Sequence, residues 1–230
     1  MKVVVKLGHS LIGERIELEK IRHFAALLKK RISEGDKFVV VVGGGAVARA
    51  YINASRILGG TESFADNIGI AFTRINCMLL ISALGENAYP TPTTSLDELK
   101  QALRLYHIVT IGGLTPGHST DAVAALSAET ISADIFIKMI EAGGIYDKDP
   151  KVYEDAKLLN EVNYEQLLQL ILENKNTKAG EYKPLDLVAL EILRRSKIKT
   201  VVVGSELENL EAVLRGEEIG TRIKWSDTAK

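Results

Sequence analysis

The chain has 230 residues, 46% of them hydrophobic and 26% charged, with a formal net charge of −1. Such a length carries one large α/β domain with a sizeable core, or two small ones. A charge this close to neutral argues against a dedicated nucleic-acid binder, which shows a basic face, and a single cysteine excludes an intrachain disulfide framework.

The chain opens with Val3-Val4-Val5-Lys6-Leu7-Gly8-His9-Ser10, a short apolar strand ending in a lysine and a glycine turn, with no leader pattern before it. Leu18, Ile21, Ala25, Leu28 and Ile32 then recur at helical spacing between Glu17 and Glu34, and Gly35-Asp36 stops that helix. Val39 to Val42 is a β-branched run of the kind buried on both faces of a parallel sheet, and it leads into Gly43-Gly44-Gly45. Helix is predicted from Ala46 to Leu58, closed by Gly59-Gly60, and again from an N-cap at Thr61 to about Leu84. Cys77 falls in the apolar pattern of that second helix and reads as a buried structural thiol, which suits a reducing, cytoplasmic compartment. No apolar run approaches the roughly 20 residues that a membrane span needs, and no Cys/His spacing suits zinc.

Pro90 and Pro92 mark a loop, and Ser95-Leu96-Asp97-Glu98 is a capping box opening a short helix. Ile108 to Ile111 is a strand, Gly112 to Thr120 a second glycine-rich turn, Asp121 to Thr130 a helix and Asp134 to Ile140 a further strand. Beyond Gly143-Gly144, Tyr146 to Pro150 is turn-rich, Tyr164 to Leu172 is a helix, and the polar stretch Asn174 to Gly180 reads as a mobile loop. Leu185 to Arg195 is helical, Thr200 to Val203 a strand and Leu207 to Leu214 a last helix. The alternation predicts an α/β fold, a mainly parallel sheet with helices on both faces, in one domain of two lobes, roughly residues 1–130 and 131–230.

Three strands end in glycine-containing turns: Gly8-His9-Ser10, Gly43-Gly44-Gly45 and Gly112-Gly113. Ligands of open α/β sheets bind at the carboxyl ends of strands, so three such turns on one edge could surround a multiply charged phosphate ligand. Lys6 supplies fixed positive charge. Arg49, one turn into the helix whose free amides follow Gly45, supplies more. The pattern is not a Walker A loop, because no Gly-Lys-Ser/Thr follows, nor does it have GxGxxG spacing. A glycine-rich turn with no ligand is the plainer alternative.

These stretches, in this order, resemble the amino acid kinase superfamily and within it the archaeal-type uridylate (UMP) kinases. The matching residues are Lys6 to Ser10, Val42 to Gly45 with Arg49, Glu62 to Ile70, Gly112 to Ala125, Gly144 to Tyr146 with Asp149-Pro150, and Leu185-Asp186 with Ala189. The segment Thr115-Pro116-Gly117-His118-Ser119-Thr120 is the most specific, since it separates UMP kinases from the acetylglutamate and carbamate members. The resemblance implies an open three-layer αβα sandwich that moves a phosphoryl group from ATP to UMP, with Mg²⁺ neutralising the phosphates. It also implies a homo-oligomer, a hexamer in the family, with UMP held mainly by the first lobe and ATP by the second.

Carried over by position, Lys6 and Asp121 are the catalytic pair, the aspartate orienting the lysine. Lys6, Leu7, Gly8, His9 and Ser10 hold ATP phosphates, joined by Gly45 and Arg49, with Tyr146 and Asp149 near the adenosine. Gly44 and Asp66 touch UMP, Asp66 through ribose hydroxyls, and Leu114, Thr115, Pro116, Gly117, His118, Ser119 and Thr120 wrap its phosphate and base. Plainer readings stand beside these: Asp121 as a favourable first-turn helix charge, Asp66 as solvated surface, His118 as a loop residue without a ligand, and His23 and His107 as structural.

Two departures from the family pattern fall on the ATP side. His9 stands where the family has a second glycine, and Ile140-Glu141-Ala142-Gly143 replaces a run that carries Thr, Asn and Asp. The alternatives are a nucleotide-binding relative with weak or no kinase activity, and a kinase of the same fold with another donor or acceptor.

Overall fold

The structure, a computed structural model, describes residues 1–8, 16–173 and 184–225; His9, Ser10 and the stretch Asn174 to Gly180 lie outside the described residues. In chain order the elements are β1 (Lys2–Leu7), α1 (Leu18–Ser33), β2 (Lys37–Val42), α2 (Gly45–Ile57), α3 (Glu62–Leu84), α4 (Leu96–Leu105), β3 (Ile108–Ile111), α5 (Thr120–Ile131) and β4 (Ile135–Ile140). There follow β5 (Ile145–Tyr146), β6 (Leu158–Leu159), β7 (Glu161–Asn163), α6 (Tyr164–Glu173), α7 (Leu187–Ser196), β8 (Thr200–Gly204), α8 (Leu207–Leu214) and β9 (Thr221–Lys224).

One seven-stranded sheet runs in the order β3-β2-β1-β4-β8-β9-β7. Its pairings are parallel except that of β8 with β9. Because successive side chains of a strand point to opposite faces, β1 divides its residues between two cores. Val3, Val5 and Leu7 pack with Ile21, Phe24 and Leu28 of α1, with Cys77 and Leu80 of α3 and with Leu210 of α8. Val4 packs with Phe136 of β4, with Val123 and Ala124 of α5 and with Leu190 and Leu193 of α7. The result is three layers with helices on both faces. Fully burying side chains such as Phe24, Phe38 and Phe136 contributes roughly 1.5–3 kcal/mol each.

Local signals act as expected at several helix starts. The Thr61 hydroxyl accepts from the Phe64 amide at 3.2 Å, and Ser95 Oγ accepts from the Glu98 amide at 3.1 Å. Glu98 reaches back one residue further than a capping box requires, accepting from the amide of Thr94 at 2.7 Å. Three features differ from the expectation. The short hairpin β5–β6, the edge strand β7 and its neighbour β9 are not legible in the sequence, being only two to four residues long. α3, at 23 residues, is apolar enough by composition to cross a membrane. It nonetheless packs along α2 and buries Ala65, Cys77, Leu80 and Leu84 within the domain.

Candidate active site

The chain leaves β1 for β2 and β3 on one side, and returns to place β4 on the other. That makes the β1/β4 junction the switch point at which an open α/β sheet forms its ligand crevice. Lys6 of β1 and Lys138 of β4 are register partners there, so the pleat sends both side chains to the α5 face. Two ammonium groups on adjacent strands repel unless a counter-ion lies between them. Asp121, in the first turn of α5, is that counter-ion: its Oδ1 lies 3.2 Å from Lys6 Nζ, and its Oδ2 accepts from Lys138 Nζ.

The cluster is deeply set, with side-chain exposures of 13% for Lys6, 13% for Asp121 and 4% for Lys138. Burial opposes the charge on Asp121, but Lys138 and then Lys6 outweigh it and hold its carboxyl down to about 2. Burial pushes the Lys138 ammonium below the usual lysine range, with Asp121 opposing. Asp121 is therefore an anion ion-paired with two cations: its Oδ2 accepts a hydrogen bond from Lys138, while its buried Oδ1 faces Lys6 without one. Lys138 is the residue the sequence reading missed. A lone lysine inside Ile135-Phe136-Ile137-Lys138-Met139-Ile140 was the signal, since a buried lysine needs a partner.

A cleft of about 230 Å³ opens beside Lys6, lined among others by Gly8, Gly43, Gly44, Gly45, Arg49 and Asp66. The three glycine turns thus meet at one edge because β3, β2 and β1 are sheet neighbours. α2 starts with Gly45 at φ +73°, a conformation that costs little only for glycine, and its N-cap residue, Gly44, has no side chain with which to cap the first amides. Those amides carry the positive end of the helix dipole.

Two further residues outside the sequence reading shape this wall. Thr73 Oγ1 of α3 accepts from the Gly113 amide at 2.7 Å, and Asn76 Nδ2 donates to the Gly43 carbonyl at 2.8 Å. Both are buried and sit on the inner face of a helix whose pattern marked them only as polar interruptions.

The segment after Gly113 divides its tasks. Thr115, His118 and Thr120 line the cleft, whereas Leu114 packs against the core beneath. Thr115 to His118 is a turn with Pro116 second and Gly117 third, closed by the His118 amide donating to the Thr115 carbonyl at 3.2 Å. Gly117 takes φ +83°, which such a turn requires at that place. Its amide donates to Asp66 Oδ2 at 2.8 Å, so Asp66 both lines the cleft and ties this turn to α3. Ser119 turns away to cap α5, accepting from the amides of Asp121 and Ala122 at 3.1 and 3.0 Å.

Across β4 the picture changes. Tyr146 pairs with Leu158 in the β5–β6 hairpin. Asp149 is buried and builds the next turn: its Oδ1 accepts from the Lys151 amide at 2.9 Å, and its carbonyl accepts from Val152 and Tyr153. Neither residue lines the cleft that holds Lys6. Ile140 packs against the core, Glu141 is exposed, and Gly143 turns the chain at φ +87°.

Comparison with known proteins agrees with this geometry. The model of the amino acid kinase family matches residues 1–204. A uridylate kinase of Methanobrevibacter smithii is 42% identical over 224 residues, covering 97% of this chain and 99% of that protein. One from Archaeoglobus fulgidus is 43% identical over 223 residues, covering 97% and 100%. The crystal structure of uridylate kinase from Archaeoglobus fulgidus superposes with a TM-score of 0.86 at 42% identity, over 97% of this chain and 100% of that one.

Proposed function

The chain belongs to the amino acid kinase family, and we propose that it is a phosphotransferase that moves the γ-phosphoryl group of ATP to UMP, giving UDP. The observation that carries the chemistry is the Lys6–Asp121–Lys138 cluster at the switch point, with Lys6 facing the glycine-walled cleft. The attacking atom is a phosphate oxygen of UMP, largely ionised at neutral pH. No general base is needed, which agrees with a carboxylate already committed to two lysines. The transfer forms a bond from that oxygen to the γ-phosphorus and breaks the bond to the β–γ bridging oxygen, leaving ADP. The protein's task is to hold both phosphate chains in line and to stabilise the charge that spreads over the transferring group.

In this reading Lys6 contacts the transferring group, while Asp121 and Lys138 fix its position from behind. Gly44, Asp66, Thr115, His118 and Thr120 receive UMP in the first half of the chain; Gly8, Gly45 and Arg49 receive ATP phosphates, with the adenosine towards Tyr146 and the second half. The described residues offer no cluster suited to hold a metal by themselves. Among those described there is no group of three potential metal ligands, and Asp121 is occupied. Mg²⁺ is accordingly assigned to the ATP phosphates themselves, as is common for this ion.

We place the reaction in the cytoplasm, consistent with the free, buried Cys77, and in a homo-oligomer. Phe64, Ala71, Ile75 and Met78 form an exposed apolar stripe along α3 at helical spacing that a second copy would cover. Sedimentation velocity checks this, since a 25.1 kDa species alone would remove the oligomer.

The test of the acceptor is an assay of UMP, CMP, carbamate and acetylglutamate with Mg·ATP. UMP should be phosphorylated in preference; preference for a carboxylate or carbamate would overturn the reading.

A further inference from the structure

Asp186 lies just before α7, in the second half of the chain, outside the cleft lining. Its two oxygens face different helices. Oδ1 caps α7 by accepting from the Ala189 amide at 2.8 Å, and Oδ2 accepts from the hydroxyl of Ser119. Ser119 in turn is the cap of α5, so the start of one helix is tied to the start of the next through two side chains. α5 and α7 pack side by side, and the tie closes their amino-terminal ends.

We propose that Asp186 is a positioning residue for the transfer: by fixing Ser119 it sets the first turn of α5, and with it the place of Asp121 between the two lysines. A serine hydroxyl has one proton. With that proton given to a carboxylate, its lone pairs are aimed at the amides of Asp121 and Ala122 and are strengthened as acceptors. Without Asp186 the hydroxyl is free to rotate, and its proton competes with the same amides. Asp121 is the second residue of α5, so any shift of the first turn moves its carboxylate directly. Small misplacements are amplified in a reaction that depends on alignment. The same carboxylate adds negative charge near Lys138, which favours the ammonium form there. The tie also joins the acceptor turn, which ends at Ser119, to an element of the donor half. This inference rests on the kinase reading, which it deepens by naming a residue that acts through another.

The test is Asp186→Asn, which keeps an oxygen to cap α7 but removes the acceptor for Ser119. The expected result is a fall in kcat of about tenfold, the scale of one lost charge-assisted hydrogen bond, with the calorimetric Kd for UMP changed less than about threefold. Ser119→Ala should lose kcat likewise, the double variant no more than the worse single one, and Ser119→Thr, which keeps the hydroxyl, should recover most of the loss. Hydrogen exchange adds a readout that needs no activity: the amides of Asp121 and Ala122 should exchange faster in Asp186→Asn. Unchanged kcat in Asp186→Asn, additive losses in the double variant, or unaltered exchange at those amides would overturn the proposal. A wild-type protein that does not phosphorylate UMP would instead overturn the kinase reading and leave the exchange result to judge the tie.

Discussion

The two halves of the sheet edge are held by different means. Around β1, β2 and β3, side chains of one helix grip the backbone of the turns: Thr73 holds Gly113, Asn76 holds Gly43, and Asp66 holds Gly117. Around β4 and β8 the start of the loop is held by packing, and only the hairpin beyond it by a directed bond. Ile140 sits on the core, and Thr221 of β9 accepts from the Ile145 amide at 2.8 Å beneath the hairpin. A wall built on directed bonds to backbone changes shape when one donor or acceptor goes. A wall built on packing accepts other apolar residues of similar size. By that contrast an apolar residue such as Ile140 at the start of the loop is compatible with the fold, and the exposed Glu141 costs it nothing.

The sharpest break is at the bridge between the halves. Lys6→Ala should lower kcat by about a hundredfold or more, since it removes a charge aimed at the transition state, and should shift the Kd for UMP far less. Loss confined to UMP affinity would place Lys6 on the acceptor side only. Lys138→Met should act on stability as well. It leaves a buried Asp121 with one partner, and breaking a buried pair costs roughly 3–5 kcal/mol, to be read from urea unfolding.

Acid should expose the same cluster. Asp121 is held at about 2 against an ordinary 3.8. Its contribution is therefore complete above about pH 4 and is lost as pH falls through about 2. Asp121→Asn should be less stable than wild type at neutral pH, and the gap should narrow as pH drops through that window. A gap that stays constant with pH in thermal unfolding would contradict the assignment.

A smaller effect separates the two walls. Thr73→Val keeps the shape of the side chain but leaves the buried Gly113 amide unpaired. KM for UMP should rise several-fold, within the roughly 1–3 kcal/mol such a loss allows, with kcat and the Kd for ATP nearly unchanged. A matching rise in the Kd for ATP would mean the walls are not separate.

Much of this is legible in the amino-acid sequence. Apolar runs ending in glycine marked the parallel strands, and their meeting at one edge follows from sheet order. Asp121 could be read because its helix start carries the signature around it. Lys138 was harder, because its role depends on β4 lying beside β1, a pairing between residues far apart in the chain. Thr73 and Asn76 were hidden for a related reason: a polar residue on a buried helix face shows no periodic signal, and its partner is a backbone group. Tyr146 and Asp149 show the opposite case. Their motif was plain, yet hairpin pairing and turn hydrogen bonds account for their local geometry, and neither lines the cleft.

The contrast between the halves is tested most directly by calorimetric titration of UMP and of Mg·ATP separately, on wild type and on Ile140→Thr with Glu141→Asn. An exposed carboxylate at the donor end repels a polyphosphate unless a cation intervenes. Wild type should bind UMP more tightly than ATP, and the double substitution should tighten ATP while leaving UMP nearly unchanged. ATP bound as tightly as UMP by wild type, with no gain on substitution, would contradict the account.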